Sequence, residues 1–129
     1  MENQNQSIWS QFDTDKVHFQ DLGRSAIFLI PENKLALNIG GEKVEQHLWN
    51  FLVTNFGAFT FSVVSNYGVW IGGRAIVYAD VSRLYDVSFT GKERISILGE
   101  KLAEIAKVVG EECIYFKAGQ YTALVYPKP

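Results

Sequence analysis

The chain has 129 residues, of which 47% are hydrophobic and 20% are charged. This composition is typical of a soluble globular domain and excludes a disordered, collagenous or coiled-coil protein. Twelve basic and fourteen acidic residues give a net charge of −2, so no general positive field attracts nucleic acid or an anionic membrane. A single cysteine excludes an internal disulfide and a cysteine-based zinc site. Aromatic residues, at 14%, exceed what a core of this size requires.

One domain is expected over residues 1–129, with an arm over residues 1–24 and an α+β core over residues 25–129. The segment Met1–Gln6 is polar and lacks the basic and apolar stretches of a secretory signal. The longest apolar run, Ala26–Pro31, is too short to cross a bilayer. The sequence therefore predicts a cytoplasmic protein that does not associate with membranes.

Two β-rich runs follow the arm, Ser25–Pro31 and Leu35–Ile39. The residues between them have turn chemistry, because proline presets φ and asparagine tolerates the left-handed region. The two runs are therefore predicted to form a hairpin, which ends at Gly40–Gly41.

Two amphipathic helices are predicted from apolar side chains at helical spacing. The first covers Glu42–Phe56 and stops at Gly57, and the second covers Lys92–Val109 and stops at Gly110. Glycine is the residue most often found just after a helix, which supports both ends.

Strands are predicted on either side of the second helix. Ala58–Ser65 is a strand, Arg74–Phe89 is β-like for most of its length, and apolar β runs lie within Cys113–Tyr126. The turn between the first two lies at Asn66–Gly68 or at Gly72–Gly73, with a bulge at the other site. We favour Gly72–Gly73, because the strands that it joins are better matched in length.

The order of elements from Leu35 onward is β-α-β-β-α-β, which predicts a ferredoxin-like α+β fold. Two helices cover one face of an antiparallel sheet, and an extra N-terminal strand or arm is added. The other face is then solvated, covered by the arm, or used to bind something.

Aromatic and arginine residues around the glycine breaks form the candidate ligand or interface site. Its members are Tyr67, Trp70, Arg74 and Tyr78, with Asp80 and Arg83 farther along the same predicted strand. These residue types stack on planar ligands and are common in protein interfaces. The competing interpretation is that aromatic residues are simply frequent in strands.

No metal, cofactor or nucleic-acid site is predicted. The two histidines, His18 and His47, have no close histidine or cysteine partner. His47 lies beside the apolar stripe of the first helix, so we interpret it as a partly buried, hydrogen-bonded residue and keep it as a candidate site residue. Signatures of a nucleophilic serine or cysteine, a P-loop and an RNA-recognition motif are all absent from the sequence.

From Leu35 to the end the chain resembles a group of small bacterial domains of the ferredoxin-like class. The similarity rests on Leu35-Ala36-Leu37-Asn38-Ile39-Gly40, the helix with Trp49 and Leu52, Gly57-Ala58-Phe59-Thr60, Tyr67-Gly68-Val69-Trp70 and Gly119-Gln120. The resemblance implies a fold and no reaction, because no activity is assigned to that group. Fold-level analogy is in any case a poor guide to function on this fold.

The sequence favours a non-enzymatic binding or protein-interaction module that self-associates through its open sheet face or an edge strand. Its partner is then a second copy or another protein, with a small-molecule ligand as a further option. The alternative is a small dimeric α/β-barrel-type enzyme that acts on a small aromatic or lipophilic substrate between two sheets. In that enzyme His47, Tyr78, Asp80 or Arg83 supply the polar groups.

Overall fold

A computed structural model describes residues 8–71 and 75–129, with the backbone alone described for residues 66–71 and 75–79. The strands are β1 (Arg24–Pro31), β2 (Asn38–Ile39), β3 (Glu42–Lys43), β4 (Thr60–Ile71), β5 (Ala75–Phe89), β6 (Ile114–Ala118) and β7 (Tyr121–Val125). The α-helices are α1 (Val44–Phe56) and α2 (Glu93–Val109), and short 3₁₀ helices cover Ile8–Phe12 and Glu32–Ala36.

Five strands form an antiparallel sheet in the order β4-β5-β1-β6-β7, and β2 and β3 form a separate two-stranded ribbon. In chain order, β1, α1, β4, β5, α2 and β6 follow the β-α-β-β-α-β sequence, and β7 is added at one edge. The predicted ferredoxin-like α+β class is therefore confirmed.

One hydrophobic core lies between the two helices and one face of the sheet. Alternate residues of each strand point into it, as the pleat requires. The strands contribute Ala26, Phe28, Ile30, Tyr85, Val87, Phe89, Ile114, Phe116 and Ala118, and the helices contribute Val44, Leu48, Leu52, Leu98, Leu102, Ile105, Ala106 and Val109. No helix in the described parts of the chain is long and apolar enough to cross a membrane.

The predicted hairpin between Ser25–Pro31 and Leu35–Ile39 is wrong. The first run forms β1, the first strand of the fold, and it does not pair with the second run. Strand β1 lies at the centre of the sheet with β5 on one side and β6 on the other. Both of its edges are therefore occupied. The residues after Pro31 continue instead into a 3₁₀ helix, which buries Leu35 in the core.

The β4–β5 hairpin is longer and more regular than predicted. Its ladder runs without interruption from Thr60 opposite Asp86 to Ile71 opposite Ala75. A turn or a bulge at Asn66–Gly68 is excluded by this register, whereas the favoured turn at Gly72–Gly73 falls outside the described residues. Only residues 82–89 of β5 also pair with β1, so the far part of the hairpin extends beyond the sheet as a two-stranded ribbon.

The described part of the arm, from Ile8 onward, is not buried in the core. Every residue from Ile8 to Ser25 is exposed. The arm is ordered locally instead: Phe19 stacks on Trp9 with ring centroids 5.7 Å apart, and the Phe19 amide donates to the Asp13 carboxylate at 2.8 Å. Hydrogen bonding from Phe19 and His18 lowers the pKa of Asp13, whose carboxylate therefore stays ionised.

Two glycine-to-alanine substitutions are expected to change the stability in opposite directions. Gly99 lies within α2 with no atom within 4 Å of an added Cβ, so Gly99→Ala should raise the free energy of unfolding by about 0.5–1 kcal/mol. Gly23 has a φ of 84°, and an added Cβ would collide with the Phe89 carbonyl. Gly23→Ala should therefore lower that free energy by more than about 1 kcal/mol. Urea unfolding measures both, and equal signs would contradict the described packing.

Candidate functional site

Most of the predicted aromatic and arginine cluster lies where side chains are not described. Tyr67 and Trp70 stand on β4 and Tyr78 stands on β5, in each case with the backbone alone described. Arg74 lies outside the described residues altogether. The grouping of these four side chains therefore stays a prediction.

The remaining members of that cluster, Asp80 and Arg83, are not brought together. They stand three residues apart on β5, so the pleat directs them to opposite faces of the sheet. Asp80 is exposed, whereas only 13% of the Arg83 side chain is exposed on the helix-covered face that also carries Tyr85. Arg83 is thus part of a different site from the one the sequence suggested.

Arg83 binds two carboxylates that come from separate elements. Its Nη2 donates to both carboxylate oxygens of Glu32, at 2.8 and 2.6 Å, and its Nη1 donates to Glu45 Oε2. Glu32 begins the 3₁₀ helix after β1, and Glu45 lies in the first turn of α1. One guanidinium therefore ties both of these elements to β5.

The charges in this cluster sum to −1, with two carboxylates against one guanidinium. Burial on its own disfavours the charged guanidinium, but the hydrogen bonds to Glu32 and Glu45 outweigh it and raise the pKa of Arg83 above its usual value. Both carboxylate side chains remain about one-third exposed. The negative charge is consequently accessible to a ligand from solvent.

Aromatic rings surround the ion cluster. The Arg83 guanidinium lies 4.6 Å from the centroid of the Phe61 ring, and Phe61 packs against Trp49 and Tyr85 at centroid distances of 5.4 and 5.7 Å. Phe59 contacts the same rings. Phe61 is 42% exposed, so one aromatic ring of the group remains open beside the carboxylates.

Tyr85 forms the buried base of this group. Its ring stacks on Phe28 at 5.1 Å, and its hydroxyl oxygen accepts a hydrogen bond from Trp49 Nε1 at 3.0 Å. Burial raises the pKa of Tyr85, although hydrogen bonds from Trp49 and Arg83 act in the opposite direction. The phenol therefore stays neutral at physiological pH and acts as a fixed hydrogen-bonding group.

A second polar cluster joins α1 to α2 around His47. Lys101 Nζ donates to His47 Nε2 at 2.9 Å, so this nitrogen must be unprotonated and Nδ1 carries the hydrogen that is donated to Glu42 at 3.1 Å. Lys101 also bonds Glu104 at 2.6 Å, which lowers the pKa of that carboxylate. His47 is partly buried and hydrogen-bonded, as its interpretation from the sequence proposed.

The carboxylates and the tryptophan of the Arg83 cluster were missed by sequence reasoning. Glu32 lay in a predicted turn, and Glu45 lay within the first predicted helix without any role assigned to it. One signal was available: Arg83 occupies an inward position of the stripe that continues with Tyr85, Val87 and Phe89. A charged residue in such a stripe requires an oppositely charged partner. Within the described part of the chain, no group of three metal-ligating side chains is assembled.

No protein-family model matches the chain, and no curated protein matches it significantly. Two solved structures have a similar fold. A phage SAM lyase in complex with S-methyl-5'-thioadenosine is 10% identical with a TM-score of 0.54, and the match covers 88% of this chain and 96% of that one. A phage SAM lyase in the apo state is 12% identical with a TM-score of 0.51, covering 88% and 97%. At these identities the similarity establishes the fold.

The hypothesis of a non-enzymatic interaction module is contradicted by these two structures, because both are of an enzyme. The residues of the Arg83 cluster are far apart in the chain and form no motif, so no local pattern in the sequence marks them as a group.

The raised pKa of Tyr85 predicts an alkaline loss of stability. Above pH 10 the unfolded chain releases the Tyr85 proton while the folded chain retains it. The free energy of unfolding should then fall by up to about 1.4 kcal/mol per pH unit until the folded pKa is reached. The stability difference between the wild type and Tyr85→Phe should therefore shrink between pH 10 and pH 12, as measured by urea unfolding.

Tyr115→Phe, which removes an exposed phenol of β6, is the matched control. Its stability difference from the wild type should stay constant over the same pH interval. A Tyr85→Phe difference that is equally constant would contradict the described burial of the phenol.

Proposed function

We propose that the chain is an enzyme that cleaves a small sulfonium nucleoside of the S-adenosylmethionine (SAM) type, with its substrate at the Arg83 cluster. The observation that carries this proposal is the accessible net charge of −1 on Glu32, Glu45 and Arg83 beside the exposed ring of Phe61. The fold shared with a phage SAM lyase supports the same class of substrate.

A sulfonium cation matches the electrostatics of this site. The two carboxylates carry more negative charge than Arg83 cancels, so they stabilise a positive charge placed beside them. Glu45 is the better placed of the two carboxylates, since Arg83 binds both oxygens of Glu32 and only one of Glu45. The second oxygen of Glu45 has no hydrogen bond to Arg83 and is assigned to the sulfonium.

The aromatic group accounts for the nucleoside part of the substrate. An adenine ring stacks on an exposed aromatic side chain, and offset stacking contributes about 0.5–1.5 kcal/mol beyond the buried area. Phe61 is that side chain, and its position is fixed from below by Trp49 and Tyr85. The hydrogen bond between Trp49 and Tyr85 keeps this platform rigid.

The reaction requires no oxidant or reductant. The bond between sulfur and the four-carbon chain breaks, and its electron pair stays on sulfur, which becomes the neutral thioether of S-methyl-5'-thioadenosine. The four-carbon fragment balances the charge by bonding to its own carboxylate oxygen, or by losing a proton to solvent water. Glu45 holds the sulfonium beside Phe61 and thereby fixes the conformation from which the bond breaks.

The wild-type chain should convert SAM into S-methyl-5'-thioadenosine, measured by liquid chromatography. Glu45→Gln keeps the shape of the side chain and removes the charge, so the rate should fall at least about tenfold, corresponding to about 1.4 kcal/mol. Glu100→Gln, an exposed position on α2, is the control and should retain the wild-type rate. Thermal unfolding verifies that both variants are folded. The absence of product from the wild type, or an unchanged rate in Glu45→Gln, would contradict the proposal.

The active form is proposed to be a homo-oligomer in which a second copy covers β4. This strand lies at the edge of the sheet, and its twelve residues include no charged residue and no proline. Edge strands of monomeric proteins usually carry charged residues or proline, because these residues block pairing with another chain. Val63 and Val81 are exposed on the same hairpin, so a partner there would also enclose the site beside Phe61.

Light scattering should report an oligomer for the wild type and a monomer for Val63→Lys, because a lysine on this strand introduces a charge into the interface. Val53→Lys is the matched control, since Val53 is 53% exposed on α1 and Val63 is 57% exposed. A wild-type monomer, or an oligomer that survives Val63→Lys, would show that β4 is not the interface.

A further inference from the structure

We propose that a cleft at the far end of β5 is a second ligand site, which takes a small planar molecule with an anionic group. The cleft has a volume of about 460 Å³ and lies where β5 ends, β1 and α2 begin, and β6 turns into β7. That volume is within the range of known small-molecule sites. The proposal goes beyond the sulfonium site and uses none of its residues.

The two sites are well separated. Arg83 and the cleft residue Phe89 stand six positions apart on β5, which corresponds to about 20 Å along an extended strand. A ligand in this cleft therefore does not touch the carboxylates of the Arg83 cluster.

Two cationic side chains line the cleft, Arg24 from β1 and Lys92 from the residue before α2. Among the residues that the structure describes, neither forms an ion pair with a carboxylate. A Cβ added at Gly119 would lie 3.7 Å from Arg24 Cδ, so the Arg24 stem passes close to this glycine. Two cations in one concave site attract an anion. No acidic residue in the lining compensates their positive charge.

Carboxylates near the cleft do not cancel this charge. Glu93 is the acidic residue of the first turn of α2, and its carboxylate lies against Gly91 and is not part of the lining. Glu93 thus already complements the partial positive charge at the start of α2. The cavity and its two cations form the site, and the helix terminus contributes nothing further.

The rest of the lining is suited to a planar body. Phe89 and Ile95 form an apolar floor, and the exposed ring of Tyr121 stands at the rim. A flat apolar ligand packs on the floor and stacks against Tyr121, while its anionic group reaches Arg24 and Lys92. The matching chemical class is an aromatic carboxylate, or another aromatic anion of similar size.

The test is a titration of the full-length ¹⁵N-labelled chain followed by NMR, with 1-naphthoate as the anionic probe and 1-naphthalenemethanol as the uncharged one. Naphthoate should shift the amide resonances of residues 90–95 and 118–121 and should bind at least about tenfold more tightly than the alcohol. Equal affinities, shifts confined to other regions, or no binding up to the solubility limit would overturn the proposal.

Substitutions distinguish binding of naphthoate in this cleft from a general attraction of anions to the protein. Arg24→Gln and Lys92→Gln should each weaken naphthoate binding at least about fivefold and leave binding of the alcohol unchanged. Lys107→Gln is the control, since Lys107 is an exposed lysine in the last turn of α2. An equal loss in Lys107→Gln would assign the binding to overall charge and overturn the proposal. SAM cleavage serves as an independent readout: its failure with intact naphthoate binding would refute the proposed function alone.

Discussion

The placement of a guanidinium on the helix-covered face of β5 is the constraint on which the local structure depends. A partly buried arginine must be paired, because an isolated charge in an apolar environment is very costly. Arg83 meets this requirement with Glu32 and Glu45, which lie 51 and 38 residues away in the chain. The segment after β1 therefore has to pass beside the start of α1.

The same pairing explains why this part of the surface is chemically distinctive. The two carboxylates are held in place by β5 rather than being free to move with solvent, and they remain partly exposed beside Phe61. A site of this kind is already organised before a cation arrives, which reduces the cost of binding. Arg24 and Lys92 line the cleft at the opposite end of β5, so this long strand runs between two regions of opposite charge.

Periodicity in the sequence predicted the elements whose signals are local. Helix α2 and the ends of both helices at Gly57 and Gly110 follow from apolar spacing and glycine stops, and these agree with the structure. The run Leu35–Ile39 was misassigned because a short apolar run has the same pattern in a strand and in a short helical segment. The partners of Arg83 and His47 were beyond reach, since Glu45 and Lys101 come from other elements and the fold alone brings them into contact.

The central claim, that the Arg83 cluster recognises a positively charged sulfur, is tested most directly by comparing two ligands that differ by one methyl group and one charge. These are S-methyl-5'-thioadenosine and its dimethylsulfonium analogue, which lacks the four-carbon chain and so is not cleaved at that bond. Isothermal titration calorimetry at fixed ionic strength should give at least about tenfold tighter binding for the sulfonium, corresponding to about 1.4 kcal/mol. That preference should disappear in Glu45→Gln. Equal affinities in the wild type, or a preference that survives Glu45→Gln, would contradict the account.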